Sequence, residues 1–106
     1  MKGFGGIQQL MKQANQMQMK MKKLQEEFAT REFLASSGGG AVEVTVLGES
    51  QVKSVTINKD VFADGDAEML QDMIVLATND ALSKSKEEYK LATEKITGGM
   101  NLPGMM

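Results

Sequence analysis

Apolar residues recur through the first quarter of the chain at alternating intervals of three and four. This is the a/d spacing of a heptad, and it is maintained over three repeats. It predicts a helix over residues 6–29, about 36 Å long, with lysine, glutamine and asparagine outside the apolar line. We call the apolar residues of this line the seam: Ile7, Leu10, Ala14, Met17, Met21, Leu24 and Phe28.

Between residues 31 and 58 the period changes from helical to alternating. The stretches TREFLASS, AVEVTVL and QVKSVTIN are rich in β-branched and apolar residues, and Gly38–Gly40 and Gly48–Glu49 separate them as turns. Strict alternation in the third stretch groups Lys53 with Val55 and Ile57 on one face. We expect three strands in an antiparallel meander, followed by a polar connection over 58–65.

A second helical period runs over residues 66–97. Asp64 or Asp66 is expected to cap its start and Gly98–Gly99 to end it, leaving 98–106 as a flexible tail. The apolar stripe thins after Leu82, where most residues are charged. The residues at helical spacing are Met69, Leu70, Met73, Ile74, Leu76, Ala77, Ala81 and Leu82.

These elements predict one α+β domain over 1–106, ordered α-β-β-β-α, with a three-stranded antiparallel meander and two long helices. A compact chain of this length has a radius of gyration of about 13 Å, so helices of about 36 and 46 Å must project beyond a three-stranded sheet. A projecting helix with an apolar seam needs a partner to cover it. The simplest partner is a second copy, giving a two-fold homodimer with projecting helices.

The amino-acid composition excludes several kinds of functional site. The chain has no cysteine and no histidine, which excludes disulfides, thiolate and imidazole catalysis and the usual zinc ligands. The segment DVFADGDAE begins like a calcium loop, but Phe62 and Gln71 stand where an oxygen ligand and a bidentate glutamate are needed. No apolar run approaches the roughly 20 residues of a membrane span. We expect a cytoplasmic protein that is not an enzyme, with no cofactor, metal, membrane or small-molecule substrate.

The net charge of −2 hides a gradient along the chain. Residues 1–25 contain five lysines and no acid, whereas 60–68 contain four acids and no base. The lysine face of the first helix is either a phosphate-binding surface or an ordinary solvated surface. A helix that lies on a membrane surface agrees less well with the sequence, because the seam is narrow and Trp is absent. On the last helix Lys84 and Lys86 lie among glutamates. Their alternative role to phosphate binding is therefore to form ion pairs within the helix.

Recognition of bases is not expected. Arg31 is the only arginine and the five aromatic residues are scattered, so bidentate guanine contacts and base stacking have few candidates. If this chain binds nucleic acid, it should hold the duplex backbone through lysines with little sequence preference.

The order of these segments resembles the YbaB/EbfC family over essentially the whole chain. The resemblance rests on LMKQANQMQMKMKKLQEEF, GGGAVEVTVLG, VTIN and LQDMIVLATNDA; the proline usual in the family after the last strand is missing at Asn58–Asp60. It implies a bacterial, nucleoid-associated homodimer that binds duplex DNA through positive residues on its helices. The candidates are Lys12, Lys20, Lys22 and Lys23, followed by Lys84 and Lys86. The alternative is a dimeric helical adaptor that binds a protein partner and no DNA.

Overall fold

The computed structural model describes residues 2–64 and 66–98. It confirms the predicted α+β fold: a long helix, a three-stranded antiparallel sheet, and a long helix preceded by a short one. The elements are α1 (Lys2–Ala29), β1 (Glu32–Ser37), β2 (Val42–Leu47), β3 (Val52–Ile57), α2 (Lys59–Ala63) and α3 (Ala67–Thr97).

Two helix boundaries differ from the sequence prediction. α1 begins at Lys2 rather than near residue 6; each added residue contributes a backbone hydrogen bond, which offsets the poor helix propensity of the early glycines. The expected polar connection contains α2, because the Asn58 side chain accepts hydrogen bonds from the backbone N–H of Asp60 (2.8 Å) and Val61 (3.4 Å). The predicted flexible tail lies, from residue 99 onward, outside the described residues.

The sheet has the strand order β1-β2-β3. In the hairpin between β1 and β2, Gly38 has φ +61° and a Cβ there would collide with the sulfur of Met73. The register of β3 shifts beside Thr45 and Val46. The expectation that Lys53 shares a face with Val55 is therefore wrong: the irregularity breaks strict alternation, and Lys53 forms an ion pair of 2.6 Å with Glu32.

The core lies between α3 and the first two strands. The side chains of Val42, Val44 and Val46 are completely buried. α3 places Ala77 and Ala81 against them, and these small residues allow the helix axis to approach the sheet closely. β3 is largely uncovered: Val55 is 43% exposed, although Val44, its partner in β2, is fully buried.

Phe28 anchors the C-terminal end of α1 to this core. It is 5% exposed, and its ring centroid lies 5.2 Å from that of Phe33 and 5.1 Å from that of Tyr89 in α3. Gly48, in the turn after β2, approaches so closely that a Cβ would overlap the Phe28 carbonyl oxygen. The end of α1 is therefore held by both the sheet and α3.

The opposite end of α1 projects from the domain. Along the seam, Leu24, Met21 and Met17 are half-buried, whereas Ile7 and Leu10 are 58% and 65% exposed. The molecule measures 77 × 23 × 16 Å with a radius of gyration of 20.6 Å, well above the roughly 13 Å of a compact chain of this size. The projecting arm expected from helix length is present, and the part of its seam formed by Ile7 and Leu10 is uncovered in a single copy.

Candidate nucleic-acid interface

α1 places four of the candidate lysines on a projecting, exposed helix surface. Lys12, Lys20, Lys22 and Lys23 are all exposed. At about 100° and 1.5 Å per residue, they fall within roughly half of the helix circumference and span about 16 Å of its axis. Lys20, Lys22 and Lys23 form the densest group, which we call the α1 lysine cluster, and no acid precedes them in the chain.

Few acids compete for these ammonium groups. Among the described residues the only ion pair from the α1 lysines joins Lys23 to Glu27 at 3.9 Å, with both side chains more than two-thirds exposed. An exposed pair of this length is worth little, because water and salt screen it. The positive surface of α1 is thus available to an external anion.

The two candidates on α3 are in different situations. Lys84 reaches across to β1 and donates a hydrogen bond of 2.8 Å to the carbonyl oxygen of Leu34. Lys86 is exposed. The structure thus does not group all six candidates: four lie along α1, Lys84 is bonded to an outer strand of the sheet, and Lys86 lies on a separate helix.

Charge is distributed along the long axis of the molecule. The turn after β2 lies at the α1 end, since the Gly48 amide donates to the Arg31 carbonyl. β3 runs away from that end and leads into α2, so the start of α3 lies at the far end of the sheet. That far end carries exposed acids and no base after Lys59: Asp60, Asp64, Asp66, Glu68 and Asp72. The far end is therefore more negative than the surface of α1.

Arg31 has a structural role that the sequence did not reveal. Its guanidinium lies 5.0 Å from the ring centroid of Phe33 and 6.0 Å from that of Phe28, and 3.6 Å from the carboxylate of Glu88. Arg31 and Glu88 line an open cleft of about 550 Å³ together with Leu91, Ala92, Glu94 and Lys95. Glu88 lies 57 positions from Arg31 in the chain, so sequence spacing contains no signal for this contact.

The described residues contain few other candidates for a functional site. Within 2–64 and 66–98 no group of three or more carboxylates is arranged to hold a metal ion. No helix in these ranges is long and apolar enough to cross a membrane. The lysine surface of α1 is therefore the most distinctive functional feature that the structure presents.

Comparisons with known proteins identify the family of this chain. The model of the YbaB/EbfC DNA-binding family matches residues 2–100. A nucleoid-associated protein of Clostridium novyi is 48% identical, covering 97% of this chain and 93% of that protein, and one of Acetivibrio thermocellus is 46% identical with the same coverage. An uncharacterized protein of Helicobacter pylori shares the fold, with a TM-score of 0.72 at 24% identity over 86% of this chain and 96% of the other. The chain belongs to the YbaB/EbfC family of DNA-binding proteins.

Proposed function

We propose that this protein is a non-enzymatic, nucleoid-associated homodimer that holds duplex DNA through the lysines of α1. The observation that supports this most directly is the exposed α1 lysine cluster on a projecting helix, with a single loose ion pair among the described residues. The names of its relatives, which are nucleoid-associated proteins, support the same location and partner. The protein influences gene expression, on this proposal, by occupying and shaping DNA.

The contacts are made with phosphates rather than with bases. An ammonium on a four-carbon stem is a point charge that binds phosphate without reading a base edge. Arg31, the only guanidinium, is occupied by two aromatic rings and Glu88. The rings of Phe33 and Tyr89 both pack against Phe28 at the end of α1. Binding should therefore depend on salt and little on sequence.

The uncovered strand β3 supports the homodimer. Of the two outer strands, β1 is covered by α3 and its backbone accepts a hydrogen bond from Lys84. Among the described residues, β3 has no helix packed over it in this way and no such hydrogen bond. Val52 and Val55 are about half exposed. A second copy placed against β3 would bury these side chains and leave both α1 helices projecting.

Val55→Asp should then produce a monomer in light scattering, whereas Leu34→Asp, an equivalent change on β1, should remain dimeric.

The DNA-binding proposal is tested by charge reversal at the α1 lysine cluster. A labelled duplex is titrated at low and moderate salt with the wild-type protein and with the Lys20→Glu/Lys22→Glu/Lys23→Glu variant. The matched control is Lys59→Glu/Lys90→Glu/Lys95→Glu, which changes the net charge by the same amount at exposed lysines outside α1. We expect the first variant to lose binding while staying dimeric, and the control to lose much less.

Equal losses in both variants would mean that only net charge matters and that α1 is not the contact. Absence of binding by a well-folded wild-type dimer would instead favour the adaptor. In that case the exposed seam would bind a protein partner, and that binding would survive charge reversal because it depends on apolar contacts.

A further inference from the structure

The first half of α1 differs from the lysine cluster that follows it. We call residues 6–19 the α1 tip. Its seam residues Ile7 and Leu10 and their neighbour Met11 are about 60% exposed. Lys12 is its only charged residue, and the rest of its polar side chains are amides. The arm is therefore divided into an apolar, nearly uncharged tip and a basic segment, and phosphate binding does not account for the exposed apolar side chains of the tip.

We propose that the α1 tip is a contact between DNA-bound molecules, in which the tips of two copies pack antiparallel and make DNA binding cooperative. The occupant of the exposed seam is thus a second copy of this chain. This inference rests on the proposed function, because DNA is what brings the two copies together.

The tip is complementary to itself in an antiparallel arrangement. Pairing centred on Lys12 places Leu10 against Ala14 of the second copy and Ile7 against its Met17, so that a large side chain meets a small or adaptable one. Ala14 and Met17 also line a groove of about 400 Å³ along α1, which continues past the tip along Gln18, Met21, Lys22 and Gln25. Exposed apolar side chains and a matching groove are therefore adjacent on one helix.

Charge does not oppose this pairing. Lys12 occupies heptad position f, on the outside of the pair, and Lys20 lies beyond Gln18, which is opposite Gly6 of the second copy. The flanking positions e and g of the tip are Gly6, Met11, Gln13 and Gln18. The lysine clusters of the two copies lie at opposite ends of the contact. Lys22 borders the groove, whereas Lys20 and Lys23 lie outside it and remain free for phosphates.

The contact is too small to hold two free molecules together. A stable interface buries at least about 1,200 Å² in total, and the tip, about four helical turns long, supplies less than this because it has only three large exposed side chains at the contact. Neighbouring molecules on one duplex are at a much higher effective concentration, of the order of millimolar for short connections. The tips should thus associate on DNA and separate in solution.

The test compares a short duplex with a long one. A duplex of about 20 base pairs, at about 3.4 Å per pair, is shorter than the 77 Å molecule and accommodates one dimer, whereas one of about 200 base pairs accommodates several. Wild-type protein is compared with Ile7→Gln/Leu10→Gln and with Met19→Gln. Met19 is exposed on the outer side of α1, at heptad position f, and provides the matched control.

We expect sigmoidal binding of wild-type protein to the long duplex, with affinity per site at least about fivefold above the short duplex. Ile7→Gln/Leu10→Gln should bind the short duplex like wild type and lose the cooperative gain, whereas Met19→Gln should keep it. Wild-type binding without cooperativity on the long duplex would overturn this inference and leave the proposed function intact. Failure to bind the short duplex would refute the proposed function itself.

Two further results would overturn the assigned occupant. A monomeric Ile7→Gln/Leu10→Gln variant in light scattering would mean that the tip belongs to the basic dimer interface. Binding of wild-type protein to anionic lipid vesicles, lost in this variant while DNA cooperativity persists, would mean that the tip contacts lipid instead.

Discussion

Truncation of Phe28 should separate α1 from the core of the domain. The ring is 5% exposed and contacts Phe33 and Tyr89 at centroid distances of 5.2 and 5.1 Å. Phe→Ala at a buried site costs about 3–5 kcal/mol of the free energy of unfolding. A domain of this size has only about 5–15 kcal/mol in total, so Phe28→Ala should remove a large part of it.

The matched control is Phe62→Ala, the same chemical change at a side chain that is 66% exposed. Surface substitutions usually stay within about 0.5 kcal/mol, so the two variants should differ by at least about 2.5 kcal/mol. Phe28→Leu is intermediate: it keeps apolar volume but loses two aromatic contacts, worth about 0.5–1.5 kcal/mol each.

The assay is urea denaturation followed by far-UV circular dichroism, at one fixed protein concentration because a dimer's apparent stability depends on it. If Phe28→Ala is already unfolded without urea, the unfolding midpoint of Phe28→Leu is compared with that of Phe62→Ala instead. Equal unfolding midpoints for Phe28→Ala and Phe62→Ala would refute the conclusion that Phe28 anchors α1.

Four further substitutions test three individual contacts, each by the same unfolding measurement. Gly48→Ala should destabilise by at least about 1 kcal/mol because its Cβ meets the Phe28 carbonyl, whereas Gly6→Ala, with open space around it, should stabilise by up to about 1 kcal/mol; the same sign for both would contradict the close approach. Asp66→Ala should cost about 1 kcal/mol because the Asp66 carboxylate accepts a hydrogen bond from the Met69 amide; an unchanged midpoint would exclude that cap. Lys84→Met should cost no more than about 1.5 kcal/mol for the lost hydrogen bond to the Leu34 carbonyl, and a larger loss would indicate an additional role for the ammonium.

The fold was predictable because each element carries its own local period. The seam of α1, the alternation of Val42, Val44 and Val46, and the helical spacing of α3 can each be recognised within a short window. One further feature depends on a single loop residue. Asn58 caps α2 through its side chain, a local contact that is easily mistaken for a polar turn.

The details that sequence could not supply are contacts between distant positions. Lys84 bonds to Leu34 across 50 residues, and Gly48 meets Phe28 across 20. The irregularity in β3 reverses the expected face of Lys53 because one shifted residue interrupts the two-residue repeat. These contacts depend on how elements pack, which no local pattern encodes.

The candidate site was found from the sign of charge rather than from a motif. The α1 lysines were distinguished by the absence of any acid before Glu26, and the structure adds that they lie on an exposed, projecting helix. Sequence treated Lys84 and Lys86 as a pair, but Lys84 is bonded to the backbone of β1 while Lys86 is exposed. Because α3 turns successive residues by about 100°, neighbouring lysines on it reach different surroundings.

The salt dependence of DNA binding tests the central claim most directly. A dimer that neutralises about six phosphates should give a slope near −5 when log K is plotted against log salt concentration, since each contact contributes about −0.9. Lys20→Gln/Lys22→Gln/Lys23→Gln, which removes six positive charges from a dimer without adding acids, should bring the slope close to zero. A variant slope equal to that of the wild-type protein would show that the α1 lysine cluster does not contact the phosphates.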